Sequence, residues 1–356
     1  MTGGGEGGDR RPVLDEREGA VWAGAEGARM RTTRAGLLVD RGRMVAVDAP
    51  IEPPHDGDLL VRTRFASICG SDLHIVNHGV ETDPQLWAPG YPGHEGVGEV
   101  VESRSTAFTP GDRVLVVPPV AQARCFAEWQ RVRASSTVRL DGGCPPLAEV
   151  LMAQQLGTVV FAARRHPTDV AGRTVAVIGQ GSAGMFWAWW LKRAGASQVI
   201  VADRSPSRLA AAAHFGADVA VDARVDDLAE VVLDHTAGEG ADLVVEAVGR
   251  KETLLQSISC CRTGGRLHWF GLPDTHDPVP IDFRGFFRRK LTAFSTHGAQ
   301  AEPGLTSFRD ALEHIRQGDI DVRPLLSHVL PAEEIEEAFR LADTCGDGVL
   351  KVSISF

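Results

Sequence analysis

The chain has 356 residues, of which 43% are apolar and 24% charged, with a formal charge of −10 at pH 7. That is ordinary globular usage with room for two cores, since single cores stop growing at about 250 to 300 residues. The acidic balance excludes a general affinity for nucleic acid or anionic lipid, which needs Lys and Arg clustered on one face; Arg288-Arg289-Lys290 is too short a run.

No stretch approaches the roughly 18 apolar residues of a membrane span, and the opening "MTGGGEGGDRRPVLDE" has no apolar signal core, so a cytoplasmic protein is expected. Six cysteines, at 69, 125, 144, 260, 261 and 345, with no C-x-x-C among them, predict free thiols rather than a disulfide framework. Cys260 and Cys261 read as small core residues.

In chain order, residues 1–29 are rich in Gly, Glu and Arg and read as a flexible extension. From 30 to about 140 the pattern is short strands broken by Gly and Pro: "DLLVRTRFASI", "EGVGEVVES", "DRVLVVPPV" and "AEWQRVRAS". This predicts an irregular, mostly β domain. From "LAEVLMAQQLGTVVFAARR" the spacing turns helical, and strands then alternate with helices: "TVAVIG", "QVIVAD", "DVAVD", "DLVVEAVG", "GRLHWFGL" and "LTAFST". Such α/β alternation predicts a doubly wound parallel sheet. The tail reads as helix, strand and helix, closed by the strand "VLKVSISF". The expected organisation is a β domain over 30–155 and 296–356 with an α/β domain over 156–295 inserted in it.

Gly179-x-Gly181-x-x-Gly184 follows an apolar strand and opens an amphipathic helix, with Ser182 and Ala183 inside the turn. In that context the glycines permit a tight turn, close approach of a pyrophosphate and close helix packing, with the phosphates at the helix N-terminus. The next strand ends at Asp203, whose carboxylate can bind both ribose hydroxyls and would repel a 2′-phosphate, so NAD is expected ahead of NADP. Arg204 keeps NADP open, and Arg208 is a candidate contact to the ribose region.

Two polar knots interrupt the β region: "CGSDLH", holding Cys69, Ser71, Asp72 and His74, and "YPGHEGVGEV", holding His94 and Glu95 between glycines. A thiolate, an imidazole and oxygen ligands are what a tetrahedral zinc accepts. Taken singly, the same residues also read as a strand end, a core histidine and a surface charge.

Together, "CGSDLH", "GHEGVGEVVE", "GDRV", the Gly179 fingerprint, "VVEAVG" and "IEEAFRLADTCGDGVLKVSI" resemble the zinc-dependent medium-chain dehydrogenases/reductases, such as alcohol, sorbitol and threonine dehydrogenases. The resemblance runs from about residue 33 to the end. It implies a GroES-like irregular β catalytic domain joined to a Rossmann-type sheet. It also implies Cys69 and His94 as zinc ligands, with Glu95 a ligand or close carboxylate. Asp72 would orient His94, Ser71 and His74 would relay a proton, and Val248 would join the cofactor contacts.

The family's remaining ligand position, a Cys or Glu elsewhere, falls here on Gln154, with Gln155 and Glu149 as substitutes. The segment after "GDRV" holds only Cys125, so one catalytic zinc and no structural zinc are expected. The implied reaction is reversible oxidation of a secondary alcohol, polyol-, sugar- or cyclitol-like, to a ketone. The alternatives are a zinc-independent reductase of the same fold acting on quinones or activated alkenes, and a non-catalytic NAD(P)-binding redox sensor.

The substrate pocket is expected to draw on "HIVNHGVETDPQLWAPG", on Cys125 and Phe126, and on "STHGAQ", with Asn77, His78 and Glu81 favouring a hydroxyl-rich substrate. The resemblance further implies pairing into a homodimer or homotetramer through "GGRLHWFGL".

Overall fold

A computed structural model describes residues 13–15, 19–21, 31–78, 88–274, 277–346 and 348–356. Glu81 and most of the expected flexible extension lie outside them. Within that extension the backbone forms a short antiparallel pair, Val13–Asp15 with Gly19–Val21, where no element is expected. Three-residue strands are too short to leave a periodicity in sequence.

The strands expected after residue 170 form one six-stranded parallel sheet. Its order is Val219–Asp222, Gln198–Asp203, Thr174–Ile178, Ala241–Glu246, Cys261–Trp269 and Thr292–Ser295. The third, second and first strands thus precede the fourth, fifth and sixth, the doubly wound arrangement with its switch point between Thr174–Ile178 and Ala241–Glu246. Val175, Val177, Val199, Val201, Val244 and Val245 are all fully buried, as strands covered on both faces require.

Cys261–Trp269 is hydrogen-bonded on both sides, to Ala241–Glu246 and to Thr292–Ser295. Residues 266–269 of "GGRLHWFGL" therefore lie inside the sheet, and its open edge on that side is Thr292–Ser295.

A second sheet of seven strands is built mostly from antiparallel pairs, and the end of the chain returns to it. Val352–Ser355 lies antiparallel to Asp58–Ser67, with Ser353 opposite Ser67, and parallel to His328–Pro331. Ile68 N–H donates to Val352 O at 3.0 Å, and Ser67 N–H donates to Glu95 O at 3.2 Å. The segments entering Cys69, His94 and Lys351 are thereby held side by side.

The helix Met152–Arg165 lies between the two sheets. Its Leu156, Val159 and Val160 share one core cluster with Val97 and Leu115 of the mixed sheet, with Val175 and Val177 of the parallel one, and with Phe186 of the helix Ser182–Arg193. Each such fully buried side chain stabilises the join by about 1.5–3 kcal/mol. The same helix carries Gln154 and Gln155, both buried, whose side chains reach His94, Cys69 and Ser182.

Candidate metal and dinucleotide site

The helix Gly70–His78 starts immediately after Cys69, and Asp72 in its first turn is fully buried. Asp72 Oδ2 accepts from Cys69 N–H at 2.8 Å, closing the turn that presents the thiol. Its other oxygen, Oδ1, accepts from His94 Nδ1–H at 2.8 Å. Burial alone would drive the ring towards neutrality, but the Asp72 carboxylate outweighs it and holds the His94 imidazole well above its usual value. Asp72 holds the proton on Nδ1, so Nε2 is the ring nitrogen turned away from Asp72 and the one whose proton a metal would displace. Ser71 Oγ stands 3.3 Å from that Nε2.

Ligand atoms of Cys69, His94 and Glu95 lie within 4.8 Å of one another, and this is the one such group among the described residues. Glu95 is completely buried; its Oε2 accepts from Lys351 Nζ at 2.7 Å and from Ser67 Oγ. Burial pushes the Glu95 carboxyl up, but Lys351, then His94, outweigh it and leave it below its ordinary value. Lys351 is likewise pulled down by burial and raised above its usual value chiefly by Glu95. Glu95 Oε1, by contrast, is buried with no partner. A thiol sulfur, an oriented imidazole nitrogen and an orphaned carboxylate oxygen fit a zinc ion.

The adjacent glutamines face different groups. Gln154 Nε2–H donates to the His94 carbonyl at 3.2 Å. Gln155 Nε2–H donates to Cys69 Sγ at 3.5 Å, while its Oε1 accepts from Ser182 Oγ and, at 3.5 Å, from Lys351 Nζ. Gln155 therefore turns a donor to the cluster and keeps its oxygen elsewhere. Glu149 is half-buried and its charge acts on Arg323, away from the Cys69 group.

The dinucleotide turn sits at the switch point of the parallel sheet. Gly179 has φ +91°, and a Cβ there would also stand 2.6 Å from Val248 Cγ2. Gly184, in the first turn of the helix Ser182–Arg193, has no room at all, because a Cβ would lie 1.8 Å from the Gly179 carbonyl oxygen. A Cβ on Gly181 would meet nothing within 4 Å, leaving open space at the helix N-terminus where a pyrophosphate fits. Ala183 is half-buried in that first turn. Asp203, at the end of its strand, accepts from Gln180 N–H at 2.6 Å and Ser205 N–H at 2.9 Å, which fixes the carboxylate beside the turn.

Arg204 is exposed. Arg208, expected near the ribose, instead reaches the C-terminal loop, donating to Cys345 Sγ at 3.2 Å and Val349 O at 3.4 Å. His74 is half-buried, with its ring 5.2 Å from that of His78. Asn77 Nδ2–H donates to Asp343 at 2.9 Å and His78 lies 3.3 Å from Arg41, so both expected pocket residues are tied to surface neighbours. Cys125 is buried; its thiol is pushed up by burial and donates to Gln130 at 3.5 Å.

Lys351 and Ser67 are the members of this site that motif reading does not find. A signal for Lys351 exists: a lone lysine inside the otherwise apolar closing strand "VLKVSI" needs a buried counter-charge.

Residues 55–162 match the alcohol dehydrogenase GroES-like domain family, and residues 183–317 match the zinc-binding dehydrogenase family. The L-threonine 3-dehydrogenase of Bacillus subtilis (strain 168) is 30% identical over 334 residues, covering 86% of this chain and 94% of that protein. Among solved structures, an alcohol dehydrogenase from Thermus sp. ATN1 is 26% identical with a TM-score of 0.75, covering 90% of this chain and 99% of the other. The L-idonate 5-dehydrogenase of Escherichia coli str. K-12 substr. MG1655 shares the fold at a TM-score of 0.76 and 23% identity, over 92% of this chain and 99% of its own.

Proposed function

The chain belongs to the zinc-type medium-chain dehydrogenase/reductase family, and from that premise we propose that it moves a hydride reversibly between a secondary alcohol and NAD, giving a ketone. The observation that carries this reading is the grouping of ligand atoms of Cys69, His94 and Glu95 within 4.8 Å of one another, with Glu95 Oε1 buried and without a partner.

In this reading Cys69, His94 and Glu95 hold zinc, and Gln154 supplies the remaining neutral oxygen. Gln154 takes that place rather than Gln155 because the Gln155 oxygen is already engaged by Ser182 and Lys351. Zinc bound there supplies Lewis acidity at the substrate oxygen, and NAD supplies the hydride acceptor. Asp72 aims His94, and Lys351 with Ser67 anchors the Glu95 carboxylate. Ser71, next to His94 Nε2, takes the alcohol proton and His74 hands it to solvent.

Asp203 accepts the adenosine ribose hydroxyls and repels a 2′-phosphate. Arg208, held by Cys345 and Val349, is not available as a phosphate clamp, which favours NAD over NADP. The substrate class is a small polar secondary alcohol of polyol, sugar or cyclitol type. The threonine dehydrogenase relatives act, by name, on L-threonine. A panel of polyols, sugars, threonine and simple alcohols, followed by NADH absorbance with NAD and NADP in parallel, tests this. Turnover with NAD that disappears in Cys69→Ala is expected; a fully active Cys69→Ala protein would overturn the zinc chemistry.

A further inference from the structure

We infer that Gln155 is a positioning residue that ties the dinucleotide turn to the metal thiolate. The inference rests on the zinc reading above and adds a link between the two sheets that the ligand set does not contain. The Gln155 side chain has partners on three separate elements: Cys69 Sγ at 3.5 Å, Lys351 Nζ at 3.5 Å, and the hydroxyl of Ser182, first residue of the fingerprint helix. The residue is only 8% exposed, so water does not compete for these bonds.

Chemistry dictates which way the amide faces. An ammonium can only donate, so the atom turned to Lys351 is the carbonyl oxygen, and the NH2 group is left for sulfur. An N–H donated to sulfur stabilises the thiolate that metal binding demands. Donation from Ser182 and Lys351 into the carbonyl oxygen polarises the amide and strengthens that N–H in turn. The dinucleotide turn and the thiolate are thereby joined through one side chain. Were the role packing alone, a methionine of similar length would serve as well.

The test uses the full chain loaded with cobalt(II), whose thiolate charge-transfer band reports on the sulfur. Metal affinity is measured by competition with a chromophoric chelator. Gln155→Met is expected to lose about tenfold in cobalt affinity, the scale of lost outer-shell hydrogen bonds, and to move the band to longer wavelength. Ser182→Ala should move it the same way by less, and the double variant should match Gln155→Met, since both act through one amide. If Gln155→Met does not fold, Ser182→Ala, which keeps the amide and removes one donor into its oxygen, carries the test alone, and an unmoved band in it overturns the inference. A folded Gln155→Met with an unmoved band and an affinity within about twofold of the wild type overturns the inference and leaves the zinc reading standing. A wild-type protein that binds no cobalt overturns both.

Discussion

The dinucleotide turn and the metal cluster are neighbours built by opposite means. At the turn, three glycines within six consecutive residues act through the backbone: Gly179 adopts φ +91°, Gly181 leaves space, and Gly184 lets the helix close onto the strand end. At the cluster the chemistry is carried by side chains. Side chains from Cys69, Asp72, His94, Glu95, Gln155 and Lys351 converge from separate segments, and their buried charges hold one another in place. A backbone site is intolerant of added atoms, whereas a side-chain site is intolerant of lost partners.

The largest expected effect is at the cluster. Cys69→Ala should lose its zinc and at least about a thousandfold in kcat, since Lewis-acid stabilisation is worth several kcal/mol; metal analysis and turnover measured on one sample check both. Measured on metal-free protein, Lys351→Met should destabilise the fold by about 3–5 kcal/mol in urea unfolding, because the buried Glu95 carboxylate would lose the ammonium that pairs it. A loss below about 1 kcal/mol would show that the cluster does not depend on partner charges as described.

At the turn the effect is smaller and of the other kind. Gly184→Ala should cost about 1–3 kcal/mol by overpacking against the Gly179 carbonyl and should weaken NADH binding in a fluorescence titration while zinc content stays whole. Loss of zinc in Gly184→Ala would erase the distinction between the two sites.

His268 belongs to neither construction and provides a control. It is buried, with its ring nitrogen 3.1 Å from Thr296 Oγ1 and its ring against Trp187, Phe270 and Phe294. Burial, and secondly the charge of His166, lowers its pKa from 6.5 to about 3. Because the folded value lies below the unfolded one, the unfolded chain binds the extra proton. Its stability contribution is intact above pH 6.5 and is lost as pH falls towards 3, amounting to roughly 2 kcal/mol at pH 5. Melting temperatures at pH 7 and pH 5 should therefore diverge less in His268→Phe than in the wild type.

How much of this was legible in the sequence follows the same division. The fingerprint glycines are contiguous and stand between a strand and a helix, so their spacing carries its own structural context. Cys69, Ser71 and Asp72 are close enough in sequence to read as one knot, and His94 with Glu95 as another. Lys351 lies far from both and looked like part of a closing strand; only the return of Val352–Ser355 beside Asp58–Ser67 brings it to Glu95. Arg208 was readable as a ribose contact from its distance to Asp203. The packing of its helix against the loop at Cys345 gave the guanidinium other acceptors.

By itself, then, the sequence determined the doubly wound sheet, the irregular β partner, the dinucleotide turn and the two polar knots, because periodicity and short-range spacing encode local backbone geometry. The tertiary structure alone decided that Gln155 donates to the thiol while Gln154 turns to the His94 carbonyl, that Lys351 balances Glu95, and that Thr292–Ser295 rather than Cys261–Trp269 is the sheet edge. Those outcomes depend on which distant elements pack together, and two adjacent glutamines of identical chemistry carry no local signal of which way each will face.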